Sequence, residues 1–313
     1  MRGVIALGVV VAAAVAWLLA GPAGAQAPTP VFATSVKLEL ISGSVSVTVP
    51  GGGGPEQLTE PRLAPVGSTV DATNGEVRLT SADAAGTQQY GDFSEGAFRV
   101  VQPSKEGGLV ELRLVGGNFS TCTSAHAAKS AGRHLVGKAH GKFRTKGNYA
   151  AATVRGTTWE VADGCKVTRV TDHEGEVEAS SDFQSYNLQP GESEVGYCFP
   201  RTSVKENRKF CIAARSAPEK QIVSFGIGVR RTDATKYRIC VFAPSGQTYC
   251  GSFPLKRYKK TNFKISAVAC EEFEGAGNYV ARFYLHGHQL GVPLPFTMTL
   301  PHPPFDVGCL NSR

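Results

Sequence analysis

No amphipathic helical pattern longer than two turns runs through this chain, and it contains no Cys-x-x-Cys and no Gly-x-Ser-x-Gly. The first absence leaves strands to build the fold. The second argues against a zinc site. Without a nucleophile elbow, and with no free cysteine placed beside a histidine, nucleophilic catalysis has no support. The carboxylates are scattered and form no pair suited to glycoside hydrolysis. Acidic residues are missing altogether between Leu112 and Trp159. After the first 20 residues no apolar run is long enough to span a bilayer.

What is there begins with a leader. Arg2 supplies a positive start, Val4 to Ala20 is apolar, and Gly21-Pro22 breaks the run. Ala23-Gly24-Ala25 then fits a small-x-small cleavage site before Gln26, so residues 1–25 read as a signal peptide. A cut after Ala27 is a second option, but it would leave Pro28 next to the cut. An uncleaved anchor is the alternative, although about 17 apolar residues are marginal for spanning. No cysteine stands near the site to carry a lipid. The expectation is an exported protein, secreted or at the cell surface, with no membrane span after cleavage. Its flexible N-terminus would cover residues 26–35. The net charge of +7 suits residence near acidic envelope polymers.

Eight cysteines lie beyond the leader. In an oxidising compartment an even count reads as four disulfides. Cys240 and Cys250 flank the turn signal Ala243-Pro244-Ser245-Gly246, so they are expected opposite each other across a hairpin. Cys122 and Cys165 are the two cysteines of the first half and are expected to pair. Cys198, Cys211, Cys270 and Cys309 leave the pairing open, with Cys198–Cys211 and Cys270–Cys309 preferred.

Period-two alternation recurs throughout. It is clear at Val45/Val47/Val49, Val77/Leu79, Phe98/Val100 and Val110/Leu112/Leu114. It returns at Val223/Phe225/Ile227/Val229, Ile239/Val241, Phe263/Ile265, Tyr279/Ala281/Phe283/Leu285 and Leu294/Phe296/Met298. Short strands bounded by Gly, Pro, Asn and Asp predict an all-β fold with one buried face per strand. The Ala-rich stretch 124–131 is the best helical candidate and equally a loop. Pro200 and the charged stretch from Lys205 to Lys209 interrupt the pattern. They suggest one β-domain over 36–197 and a second, an immunoglobulin-like β-sandwich, over 198–313.

The run from Gly141 to Val161 contains Ala152-Thr153-Val154-Arg155-Gly156-Thr157 and then Trp159-Glu160-Val161. This run resembles the small-x-Val-Arg-Gly-Thr-x-aromatic-x-Val step of FecR-type domains. Glu174-Gly175-Glu176-Val177 and Leu188-Gln189-Pro190-Gly191-Glu192 resemble later steps of the same domains. Pro65 to Asp71 and Gly75 to Leu79 resemble earlier strands. The resemblance covers about 36–196 and implies an exported all-β module with no catalytic residues to carry over. In the residues themselves, Gly147 and Gly156 suit positive φ or a close backbone approach. Trp159 is expected in the core and Arg155 in solvent, although the two could instead form a ligand platform. Gly275-Ala276-Gly277-Asn278-Tyr279 resembles the corner tyrosine of immunoglobulin-like domains.

The acid-free span holds Arg113, Lys129, Arg133, Lys138, Lys142, Arg144, Lys146 and Arg155. Lys129, Arg133, Lys138, Lys142, Arg144 and Lys146 form a candidate surface for a cell-envelope polyanion such as teichoic acid or lipopolysaccharide phosphate. A solvated basic loop explains the same residues. Phe119, Phe143 and Tyr149 interleave too thinly for a specific nucleic-acid reader. Lys256, Arg257, Lys259, Lys260 and Lys264 form a second basic group. His286 and His288 stand two apart, with His302 downstream, and would suit a metal-dependent hydrolase, but turn histidines explain them as well. The sequence therefore predicts a non-enzymatic binding or scaffold protein of a bacterial envelope, with no cofactor. Its expected partner is an envelope polyanion or another envelope protein.

Overall fold

The alternating runs become strands, and no α-helix occurs among the described residues. The computed structural model describes residues 29–119, 132–165, 167–181, 185–191, 193–199, 210–217, 222–230, 232–257, 263–271 and 276–298. The leader, the stretch 124–131, Cys122, Lys129, His302 and Cys309 lie outside them. The protein is all-β, with its described strands in a nineteen-stranded and a four-stranded sheet.

Two long strands, β1 (Ser35–Thr48) and β4 (Thr69–Ala82), pair along most of their length. Register shifts between Leu40 and Ser42 and between Ser44 and Ser46 bend the ribbon in its middle. Gly43 faces Gly75 at that bend. Gly43 has φ +70, and a Cβ on Gly75 would stand 2.6 Å from the Ser42 carbonyl oxygen. Neither position has room for a side chain.

The bend divides the large sheet into two arms. Residues 76–82 of β4 pair with β5 (Gln88–Ser94). That arm continues through β8 (Arg133–His140), β11 (Thr157–Gly164) and β12 (Val167–Glu174). Residues 69–71 of β4 pair instead with β6 (Ala97–Val101). This second arm runs through β7 (Val110–Leu114), β9 (Phe143–Lys146), β10 (Ala150–Val154), β13 (Val177–Ser181) and β14 (Ser185–Leu188). Among the described pairings only β7 with β9 is parallel. The short β2 (Glu56–Gln57) and β3 (Arg62–Pro65) extend the β1 edge.

The inner faces of the two arms meet in one apolar cluster drawn from residues 36 to 188. Phe93 of the first arm lies 5.5 Å, ring centre to ring centre, from both Phe98 and Phe143 of the second. Trp159 closes the group edge-on to Phe93 and is fully buried, as expected. Its indole N–H donates to Thr145 Oγ1 at 3.0 Å, which satisfies the one polar atom the ring carries into the core. Arg155 is exposed, also as expected.

The first arm continues from β12 through β15 (Ser193–Phe199), β16 (Phe210–Ala217), β17 (Ile222–Arg230) and β21 (Phe263–Glu271). The short β20 (Lys256–Arg257) pairs beside β21. The four-stranded sheet has the order β19 (Thr248–Pro254), β18 (Lys236–Phe242), β22 (Gly277–Leu285), β23 (His288–Met298). It packs on β17 through a second cluster drawn from residues 225 to 298, a sandwich arrangement. Phe225 meets Phe283 and Phe296 edge-on, and Tyr279 is buried and stacked on Phe296 at 5.2 Å. Cys240 and Cys250 are opposed in the β18–β19 register and bonded to each other. Cys165 is also disulfide-bonded. Cys198 and Cys211 are direct partners in the β15–β16 register. Tyr197 and Cys198, either side of the expected domain boundary, both sit within β15.

Candidate functional site: a polar cleft on the outer face of the second arm

Strand alternation decides what faces out from the second arm. In β9, Phe143 and Thr145 point into the core, which leaves Arg144 and Lys146 outside. In β10, Ala150, Ala152 and Val154 join the core and Ala151 and Thr153 turn outward. The register aligns Glu111 of β7, Arg144 of β9, Thr153 of β10 and Glu178 of β13 in one row. The next row holds Arg113, Lys146, Ala151 and Ser180. All of these residues except Arg113 line a cleft of about 290 Å³, and the small Ala151 lies between the longer side chains.

The Gly147–Tyr149 turn borders the cleft, and a buried carboxylate fixes it. Asp163 accepts from the Asn148 backbone N–H at 3.0 Å, from Arg133 Nε at 2.9 Å and from the Thr168 hydroxyl. Thr168 Oγ1 accepts in turn from the Tyr149 N–H at 3.0 Å. Arg133 also donates to Asn148 Oδ1 at 2.8 Å and to the Gly116 carbonyl at 3.1 Å. Any Cβ on Gly147 would fall on Asp163 and Thr168, so close approach is why glycine stands there. Burial, helped by the Asp163 carboxylate, pushes the Tyr149 phenol above its ordinary pKa. Tyr149 also packs against the second apolar cluster, so the cleft lies where the two cores adjoin.

The other wall is electrostatic. Glu111 is nearly buried and accepts from Arg113 Nε at 2.6 Å and from Arg144 at 3.1 Å. Burial alone would raise its carboxyl pKa. The two guanidinium hydrogen bonds outweigh burial and hold it below the usual glutamate value. Arg144 also reaches Glu106 at 3.1 Å.

The expected basic surface is thus divided. Arg133 is committed to Asp163, and Arg144 to Glu106 and Glu111. Lys138 faces out from the first arm, in the row Glu39, Arg78, Asp92, Lys138, Thr158, Glu174. Signs alternate along the first four members of that row, and Arg78 holds Asp92 through two bonds of 2.7 and 2.8 Å. Lys142 lies at the β8–β9 turn, with Nζ 3.3 Å from the Gly107 carbonyl. Of the six predicted residues, Arg144 and Lys146 line the cleft. The carboxylates that pair with the arginines of the span come from Glu106, Glu111 and Asp163, all outside it.

His286 has φ +50 in the β22–β23 turn and lies 3.2 Å from Asp233. His288 opens β23 just after the turn, directly opposite Leu285. Among the described residues no group of three or more His, Cys, Asp or Glu side chains is placed to hold a metal ion. Sequence reasoning missed Glu111, Glu178 and Ser180 as cleft residues. Alternation in β7 and β13 marks their outward face, but no sequence signal shows β7 lying parallel to β9.

No family model matches the chain, and no curated protein matches it. Two solved structures that resemble it are crystal structures of candidate anti-sigma factors from Parabacteroides distasonis ATCC 8503. The first, at 1.65 Å, is 16% identical, covers 38% of this chain and 50% of its own, and has a TM-score of 0.23. The second, at 2.50 Å, is 13% identical, covers 51% of this chain and 54% of its own, and has a TM-score of 0.22. The chain thus spans about half the length of each, and at such scores the likeness carries no argument about what this protein does.

Proposed function

We propose that this is a non-enzymatic binding or scaffold protein of a bacterial envelope, exported by its leader and holding an anionic ligand on the second arm. One observation carries the reading. The cleft has fixed walls, and its buried carboxylate, Glu111, is already neutralised by two guanidinium groups. A carboxylate held ionised and doubly hydrogen-bonded is a poor general base, since its proton affinity is lowered. The exposed ammonium of Lys146 meanwhile stands open to a ligand.

A FecR-type identity for residues 36–197 belongs to the same proposal. Its support is the quoted run, whose Val154 and Trp159 fill the core on either side of the exposed Arg155-Gly156 step. An immunoglobulin-like second domain over 198–313 rests on the sandwich of β17 against the four-stranded sheet. Disulfides Cys198–Cys211, Cys122–Cys165 and Cys270–Cys309 complete the reading.

The test incubates the mature protein with purified envelope polyanions at low and high salt, then sizes the recovered polymer. Retention at low salt, release at high salt and an unshortened polymer are expected. Shortened polymer would make the protein an enzyme. Failure to retain any polyanion would remove the binding reading.

A further inference from the structure

Beside the cleft the outer row of the second arm continues onto β6. Arg99 is the direct partner of Arg113, and Arg113 of Lys146. Three cations therefore stand side by side on adjacent strands, over roughly 10 Å at a strand spacing of about 4.8 Å. Like charges directly opposite one another destabilise a sheet. The first arm avoids that cost by alternating signs along Glu39, Arg78, Asp92 and Lys138. The second arm does not. Arg113 shares Glu111 with Arg144, and neither Arg99 nor Lys146 is in an ion pair among the described residues.

We propose that the Arg99–Arg113–Lys146 row is a linear anion site that binds a chain of phosphate groups laid across strands β6, β7 and β9. This rests on the binding reading above and names the contacts and ligand chemistry. It moves the contacts from the Lys129–Lys146 span to a row that β-pairing assembles from three separated segments.

The chemistry of the row selects its ligand. The Arg99 guanidinium, the Arg113 nitrogens not bound to Glu111 and the Lys146 ammonium match successive phosphate oxygens, with bidentate binding expected at Arg99. Beyond Lys146 the row continues through Ala151, which adds no bulk, to Ser180, whose hydroxyl lies at the cleft wall. In the row alongside, Glu178 is exposed on β13 and repels an anion there. The site therefore favours about three consecutive charges and ends at β10.

The probe is inorganic tripolyphosphate, titrated calorimetrically into the mature protein. Orthophosphate is the single-charge comparison. Tripolyphosphate is expected to bind more tightly than orthophosphate, and to weaken about tenfold or more between about 50 and 200 mM salt. The double variant R99Q/K146Q is expected to lose at least about tenfold in affinity, while K236Q/R238Q on the four-stranded sheet keeps it within about twofold. Unchanged Trp159 emission shows that each variant is folded. Full binding by R99Q/K146Q, with loss in K138Q/K142Q, overturns the row but leaves an anion-binding protein. Equal binding of orthophosphate and tripolyphosphate overturns its linear character. Wild type that binds tripolyphosphate not at all, yet retains envelope polymer, overturns the phosphate row alone.

Discussion

Glu111 shows how one residue links packing to charge. Its backbone lies in β7, and its outward carboxylate is covered by the arginines on either side of it. Its folded-state pKa lies below the ordinary value because hydrogen bonds from Arg113 and Arg144 outweigh burial. A depressed carboxyl contributes stability that is present above its unfolded pKa of about 4.3 and is lost as pH falls through the folded value. The protein should therefore lose stability below about pH 4.5, partly through this residue. Glu111→Gln should lower stability at neutral pH and flatten the acid limb. Urea unfolding at a series of pH values, followed by Trp159 fluorescence, measures both. An unchanged acid slope in the variant would place the acid sensitivity elsewhere. The sequence shows Glu111 only as the last acid before an acid-free span. Which cations it meets depends on β9, more than 30 residues later, where Arg144 is found.

At the scale of elements, alternation was a good guide wherever a strand has one face in the core and one in water. The expected runs at Val77/Leu79, Phe98/Val100, Val110/Leu112/Leu114 and Tyr279 to Leu285 lie in β4, β6, β7 and β22. What alternation cannot show is the order of the strands. β4 serves two arms at once, and β9 lies parallel to β7 across an intervening segment that also supplies β8. The cleft depends on that parallel pair, so it was not legible. The bend in the β1–β4 ribbon was not legible either, because Gly43 and Gly75 are glycines among 36. Their role appears only when they face each other. Gly75→Ala should cost about 1–3 kcal/mol, since a Cβ there would meet the Ser42 carbonyl at 2.6 Å and the Ser44 N at 2.7 Å. Gly53→Ala is the comparison, because nothing lies within 4 Å of a Cβ at that site. Urea midpoints should fall for the first and stay nearly level for the second. Equal midpoints would show that the ribbon relaxes around the extra carbon.

For the whole molecule the open question is whether one continuous sheet makes one cooperative unit. Hydrogen bonds run without a break through β12, β15, β16 and β17, across the expected boundary. The side chains tell a different story, with one apolar cluster over 36–188 and another over 225–298. Tyr149 and Val167 of the first region pack against the second cluster. Backbone pairing alone contributes little net stability per bond, whereas buried apolar surface dominates, so the clusters should set the cooperative units. Two probes separate them. Trp159 is the one tryptophan beyond the leader and lies wholly in the first cluster. The Cys240–Cys250 bridge staples the β18–β19 hairpin of the second, closing a loop of sequence separation 10. Replacing both cysteines by serine should destabilise the second unit by about 2–3 kcal/mol, the loss expected for a short closed loop. Two units would then unfold separately: the circular-dichroism transition broadens to lower urea, while the Trp159 midpoint holds its wild-type position. If both signals instead shift together, the unbroken ladder and the Tyr149 and Val167 contacts bind the two cores into a single cooperative domain.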